Sequence, residues 1–314
     1  MRKQVSLLHG LLLATILTGS SCSSALPTED EKDPVSAVET VYMAAEDIVS
    51  GNDPFSRTNL TLGDNKIIFS WAEQDQVGVV PIEGSQIFFR VQSGAGSKNA
   101  IFDGGAWALK TDALYAAYFP YSKVNTDRNR PDIYFSYQGQ LQKGNASLAH
   151  LGGHDLMAAA RTSTIDNLLQ FEFKHMNAVG RFHLTLPVVD EFTSFRIECK
   201  KPIFASEANV DFSGDQVVYT GEAKQNFLQL DLAEVKTTAQ QKEIVLYMML
   251  PPTDFTSEKV QVTLQNKTAH TYEGVLTQKN MVAGRAYDFK VTMKDKTLSS
   301  DVEAPDFGDG DVEI

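Results

Sequence analysis

Cysteine is nearly absent: the 314 residues carry two, Cys22 and Cys199. A disulfide framework is excluded, and with Cys22 committed to lipid, as argued below, no intramolecular bridge is available. Stability must then come from burial and hydrogen bonding. Basic residues are also scarce. Lys and Arg number 28 against 40 Asp and Glu, a formal charge of -12. Such a surface lacks the cationic footprint that phosphate backbones require, which excludes nucleic acid as a partner and argues against docking on an anionic membrane face. Long apolar runs are missing as well. The stretch from Leu7 to Leu17 falls short of the about 20 residues of a permanent transmembrane helix. There is no internal repeat, no Gly-x-Ser-x-Gly motif and no glycine-rich phosphate loop ahead of a helix.

What is present starts at the N-terminus. Arg2 and Lys3 lead the apolar run, small residues Thr18-Gly19-Ser20-Ser21 follow, and Cys22 comes next. A basic start, a short apolar stretch and a small-residue exit define a secretory signal. A cysteine at the cut site implies lipidation, so the mature chain begins at Cys22 and is held to a membrane by acyl chains. Gly19 occupies the position three before the cysteine, where lipoprotein signals usually carry Leu; ordinary secretion is the alternative. From Ser23 to Pro34, two prolines and clustered charge read as a disordered tether.

Beyond Pro34 the pattern is that of strands. Lys66–Trp71, Gln76–Val80, Ile87–Val91, Ala113–Phe119, Ile133–Tyr137, Phe171–Phe173, Phe182–Leu186, Ile244–Leu250, Val260–Leu264 and Tyr287–Met293 are short, apolar and rich in β-branched or aromatic residues. Turn clusters such as Gly51-Asn52-Asp53-Pro54, Gly104-Gly105 and Ser213-Gly214-Asp215 separate them. Hydrophobic content of 42% suffices for folded cores. Many short strands with frequent turns predict an all-β protein built of sandwiches. Val38–Val49 fits a helix face through Val38, Val41, Ala45 and Ile48, and a strand through Val41, Met43 and Ala45. A break after Thr162-Ser163-Thr164-Ile165-Asp166 divides the strands into two blocks of ordinary domain size. The expected organisation is a signal peptide at 1–21, a lipidated tether at 22–36, β-sandwich domains at 37–166 and 167–294, and an acidic tail at 295–314.

A series of short signatures follows one order along the chain. Arg57-Thr58 precedes the first long strand; then come Phe69-Ser70-Trp71-Ala72-Glu73-Gln74-Asp75-Gln76-Val77-Gly78-Val79 and Tyr118-Phe119-Pro120-Tyr121. His154-Asp155-Leu156-Met157 precedes Phe171-Glu172-Phe173-Lys174-His175-Met176-Asn177-Ala178. Leu250-Pro251-Pro252 and Ala283-Gly284-Arg285-Ala286-Tyr287 complete the series. In this order and spacing the chain, from about Val38 to Met293, resembles the fimbrillin-like surface lipoproteins of Bacteroidales. The resemblance implies two tandem transthyretin-like β-sandwiches and a structural role in fimbriae, as stalk, anchor or tip, with adhesion and without catalysis. It implies an arginine-specific cut, here between Arg57 and Thr58, that frees an N-terminal strand, so Val38–Val49 is expected to be that strand. A neighbouring fimbrillin subunit would refill the groove by strand addition. The other implied partners are the outer membrane, through the lipid at Cys22, and a host or bacterial surface ligand. The tail departs from the pattern. From Lys294 to Ile314 it is acidic, interrupted by Pro305, Gly308 and Gly310, and lacks the Trp-containing segment of relatives. It is expected not to donate a strand.

No cofactor or metal is expected. His150 and His154 flank Gly152-Gly153 without a glutamate base in place. The tail acids miss the spacing of a calcium loop. His175 and His183 read as core or interface histidines, and Cys199 as a small buried hydrophobe. Trp71 reads as core. Trp107 and Tyr121 are the candidate glycan contacts, and they define the rival reading of a non-polymerising surface lipoprotein that binds a glycan or host ligand.

Overall fold

Alternation builds the first sheet. In Leu168–His175 the side chains of Leu169, Phe171, Phe173 and His175 are buried while Gln170, Glu172 and Lys174 are exposed, the period-two pattern of a strand with one dry face. The computed structural model describes residues 40–46, 48–50, 61–63, 66–82, 84–105, 109–126, 132–165 and 167–296, and almost all of its regular structure is β. Seven strands form a closed ring in the order Thr40–Ala45, Leu168–His175, Met157–Thr162, Tyr115–Phe119, Gln76–Pro81, Ile87–Ser93 and Asn99–Asp103. Neighbours run antiparallel, except that Thr40–Ala45 lies parallel to Leu168–His175. Inside sits Trp71, fully buried, with Phe69, Phe102, Phe119 and Phe173 set edge-on around it at centroid distances of 4.7, 5.0, 5.5 and 5.5 Å. Edge-to-face contact is what ring quadrupoles favour. Gly78 in the Val77-Gly78-Val79 signature has a packing reason: a Cβ there would overlap the Tyr118 ring lying across it.

The second body is a sandwich of two six-stranded sheets. One runs Glu243–Leu250, Ala178–Thr185, Arg285–Thr292, Ile48–Ser50, Lys66–Ile68 and Thr61–Gly63. The other runs Leu141–Lys143, Phe227–Lys236, Glu191–Cys199, Val260–Asn266, Thr271–Val275 and Lys294–Asp295. Phe182 and Phe289, stacked at 5.1 Å, meet Phe195, Leu228, Val262 and Leu264 from the facing sheet. A three-stranded sheet of Val218–Gln225, Phe204–Asp211 and Asp132–Ser136 covers the outer face of the ring. There Val80, Ala116, Tyr118 and Ala158 pack against Ile133, Ala208, Val210 and Phe212.

The strand pairing does not follow the expected break at 166/167. Leu168–His175 belongs to the ring, paired with Met157–Thr162, and Ile165 bridges to Leu168 between the two strands. Asp132–Ser136 and Leu141–Lys143, from the first sequence block, pair instead with strands of the second. A polar turn inside a sheet and a polar linker between domains have the same composition, so sequence could not separate them. The two blocks interleave, and all described residues fall in one compact unit.

Candidate functional site: the closing strand and its seat

Thr40–Ala45 is the strand that the family resemblance implied where the residues alone fitted either a helix or a strand, and it closes the ring. Its inward side chains are buried, Met43 completely. On one side Val41, Met43 and Ala45 register with Leu169, Phe171 and Phe173; on the other, Val41 and Met43 register with Phe102 and Ala100. Burying a Val and a Met side chain contributes about 1.5–3 kcal/mol each, and the main chain is bonded along both edges. The strand is the first described one of the chain and is paired with a neighbour on each side.

The exit of this strand is built with care. The Glu46 N–H donates to the Phe173 carbonyl at 3.4 Å. The Glu46 carbonyl accepts from His175 Nε2 at 2.9 Å, while His175 Nδ1 lies 2.9 Å from each carboxylate oxygen of Asp155. The His175 and Asp155 side chains are 1% and 0% exposed. Burial alone would lower the His175 pKa, but the adjacent Asp155 carboxylate, with the Glu46 carbonyl, holds it above the ordinary 6.5. Two acceptors facing two ring nitrogens explain this: both nitrogens must carry protons for both bonds to form. After Glu46 the chain crosses to the second sandwich, where Val49 and Ser50 pair in parallel with Arg285 and Ala286, and Ile48 and Val49 pair antiparallel with Ile67 and Lys66. One short segment therefore spans both bodies.

The second sandwich is closed by different means. Glu243–Leu250 is an edge strand whose free side faces Gln140, Gln142 and Asn145. Gln140 accepts from the Met249 N–H and donates to the Met249 carbonyl, both at 2.8 Å. Gln142 accepts from the Tyr247 N–H at 2.8 Å and donates to the Val245 carbonyl at 3.0 Å. Asn145 accepts from the Val245 N–H at 2.7 Å. The backbone of Leu141–Lys143 meanwhile pairs in parallel with Asp231–Ala233 of the facing sheet. Side-chain amides here take the place of a strand, blunting an edge that would otherwise invite pairing.

Of the residues singled out in the sequence, Cys22, Arg57, Thr58 and Trp107 lie outside the described residues. Tyr121 donates its N–H to the Gln76 carbonyl at 2.9 Å, and its ring lies 5.7 Å from that of Phe88. The cleft of about 810 Å³ between Ala160–Thr162, Leu168 and Gln216–Val217 does not include Tyr121. His150 Nε2 donates to the Tyr247 carbonyl across 3.0 Å, a structural contact. Among the described residues, no group of three His, Cys, Asp or Glu side chains could hold a metal ion. His175 and Asp155 were each in a signature, but their pairing across the fold was not visible.

The architecture is that of an all-β protein with one sheet sealed by a terminal strand. Its sequence matches the fimbrillin-like family over residues 58–304, and the chain belongs to that family. No curated protein matches it. Among solved structures it is similar to a Bacteroides ovatus protein with a proposed role in cell adhesion, at 17% identity and a TM-score of 0.53, covering 82% of this chain and 95% of that one. A Bacteroides uniformis protein with the same proposed role gives 13% and 0.49, covering 82% and 94%.

Proposed function

We propose that the chain is a fimbrial subunit, exported to the cell surface as a lipoprotein and contributing to adhesion, in which the strand Thr40–Ala45 is exchanged for one from a neighbouring subunit. The carrying observation is the ring closure: a single strand, the first described in the chain, covers an aromatic seat and bonds along both edges. In this reading Cys22 carries the lipid that holds the precursor in the outer membrane. Cleavage between Arg57 and Thr58 severs the segment from the body, and the open seat, with its unpaired edges, favours a replacement strand. The start of the family match at Thr58 supports that cut. The acidic tail at 295–314 is a poor donor, which suits an anchor, cap or minor subunit better than a stalk.

The test is the intact mass of the protein in sheared fibres and in the outer membrane. Fibre material starting at Thr58, with an Arg57→Ala variant retained in the membrane, is the expected result. A lipidated Cys22 start in the fibre, or unchanged maturation of Arg57→Ala, overturns it. Cys22→Ala is expected to lose palmitate labelling, and truncation after Lys294 to leave incorporation intact. The rival reading, a glycan binder that does not polymerise, is favoured by one feature, the Phe88–Tyr121 pair with Phe88 39% exposed. Sugar affinity that disappears in Tyr121→Ala would support it.

A further inference from the structure

We propose that His175, oriented by Asp155, is the residue that retains the closing strand and sets the register of whichever strand occupies the seat. The geometry is specific to that place. Glu46 is the residue where the N-terminal segment leaves the ring, after Ala45, and heads for the second sandwich at Ile48. Its carbonyl is gripped by His175 Nε2 and its N–H by the Phe173 carbonyl, so the crossover is fixed from both sides. Val41, Met43 and Ala45 fill side-chain positions and therefore select sequence. The His175 bond goes to a main-chain carbonyl, and so selects position without regard to sequence. A replacement strand must present apolar residues at alternate positions and a carbonyl one residue past the last of them. The extension to a replacement strand rests on the exchange reading; retention of the chain's own strand does not.

The support around the dyad is rigid. Asp155 follows a single 3-10 turn, Leu151–His154, whose Leu151 is buried against Val179, Tyr247 and Met249 of the second sandwich. The Met176 N–H donates to the Leu156 carbonyl at 2.8 Å, and Asn177 Nδ2 to the His154 carbonyl at 2.9 Å. The Phe69 ring stands edge-on to His175 at 5.8 Å. The titratable groups acting on the dyad are Asp155 and Glu46 on His175 and Tyr137 with Asp155. Burial pushes the Tyr137 hydroxyl well above its ordinary value and lowers neighbouring His154, so both are neutral near pH 7. A histidine whose folded pKa is raised contributes fully below the unfolded value of about 6.5, and the contribution is lost as pH rises through the folded pKa.

The test is hydrogen exchange on the full chain, corrected for intrinsic rates, read at residues 40–46 against the rest of the ring. Wild type is expected to lose protection of 40–46 as pH rises. His175→Gln keeps an amide donor for the Glu46 carbonyl but cannot titrate. It is expected to hold the strand within a few-fold of wild type with a flat pH profile. His175→Phe is expected to raise exchange of 40–46 at least about tenfold, as loss of a charge-assisted bond implies, with the facing strand Gln76–Pro81 unchanged. Equal protection of 40–46 in His175→Phe and wild type overturns the proposal. So does a wild-type pH profile that persists in His175→Gln, or loosening spread evenly over the ring. These readouts need no fibre. A synthetic peptide spanning Val38–Ser50, offered to protein processed at Arg57, then tests register: binding weakened in His175→Phe and restored in His175→Gln is expected. Binding unaffected by either substitution, with the exchange result intact, would confine His175 to the chain's own strand.

Discussion

The ring and the second sandwich face the same problem and solve it in opposite ways. Each has a strand whose edge must be covered. In the ring the cover is a backbone strand, Thr40–Ala45, that lies ahead of the other described strands and runs into the body through Glu46. In the second sandwich it is a row of amide side chains, Gln140, Gln142 and Asn145, on a segment held covalently at both ends. A single cut downstream of the first cover frees it; no single cut releases the second. A strand can replace a strand, because it offers donors and acceptors at the same spacing. It cannot easily replace an amide ladder whose backbone is already committed to the Phe227–Lys236 strand. In the exchange reading proposed above, the ring is the part that exchanges its cover and the second sandwich the part that keeps it.

The largest effect should come from removing the ring's cover outright. A chain beginning at Thr58 loses the burial of Val41 and Met43 and a full set of edge bonds, a loss on the order of 5 kcal/mol. Calorimetry is expected to show the ring unfolding early, with a smaller shift in the second sandwich, which loses only the short strand Ile48–Ser50. A single shifted transition would mean that the two bodies do not differ in closure. Next is Gln140→Leu, which strands the N–H and carbonyl of Met249 and removes a donor to Tyr137. At about 1–3 kcal/mol for each buried unsatisfied group, denaturant melts should register at least about 2 kcal/mol. Aggregation through the uncovered Glu243–Leu250 edge is expected to follow. Met43→Ala, a fully buried truncation, should cost about 2–5 kcal/mol and act on the ring alone. The control is Lys143→Ala. Its ion pair with Glu234 is exposed on both sides, so its removal should stay within about 0.5 kcal/mol. A larger loss there would imply that the Leu141–Lys143 segment depends on charge as well as on its amides.

The sequence made some of this comparison legible and hid the rest for physical reasons. Val41, Met43 and Ala45 alternate as a strand does, but Val38, Val41, Ala45 and Ile48 fit a helix face as well, so the family resemblance and not the local pattern pointed to the strand. Trp71 was readable as core because it sits among apolar neighbours, and Cys199 is buried and unpaired as expected. The turn around Ser163 and Thr164 read as a linker, since polarity is common to both, and so Leu168–His175 was assigned to the wrong body. The amides of Gln140 and Gln142 sit in Gln138–Gly144, which has the composition of a loop. Their spacing of two was visible, but the strand edge they cover lies more than a hundred residues away. His175 and Asp155 meet only because Leu168–His175 folds back beside Met157–Thr162. No local pattern encodes that meeting.

The most direct measurement is to lock the cover. Tyr42 and Gln170 are register partners across the closing strand, so Tyr42→Cys with Gln170→Cys allows a disulfide that ties the strand to its seat after cleavage at Arg57. If the strand must leave, the oxidised double variant is processed yet absent from sheared fibres, and each single variant, like the reduced double variant, is incorporated. Fibres containing the double variant with its intrachain disulfide intact would contradict exchange at this seat.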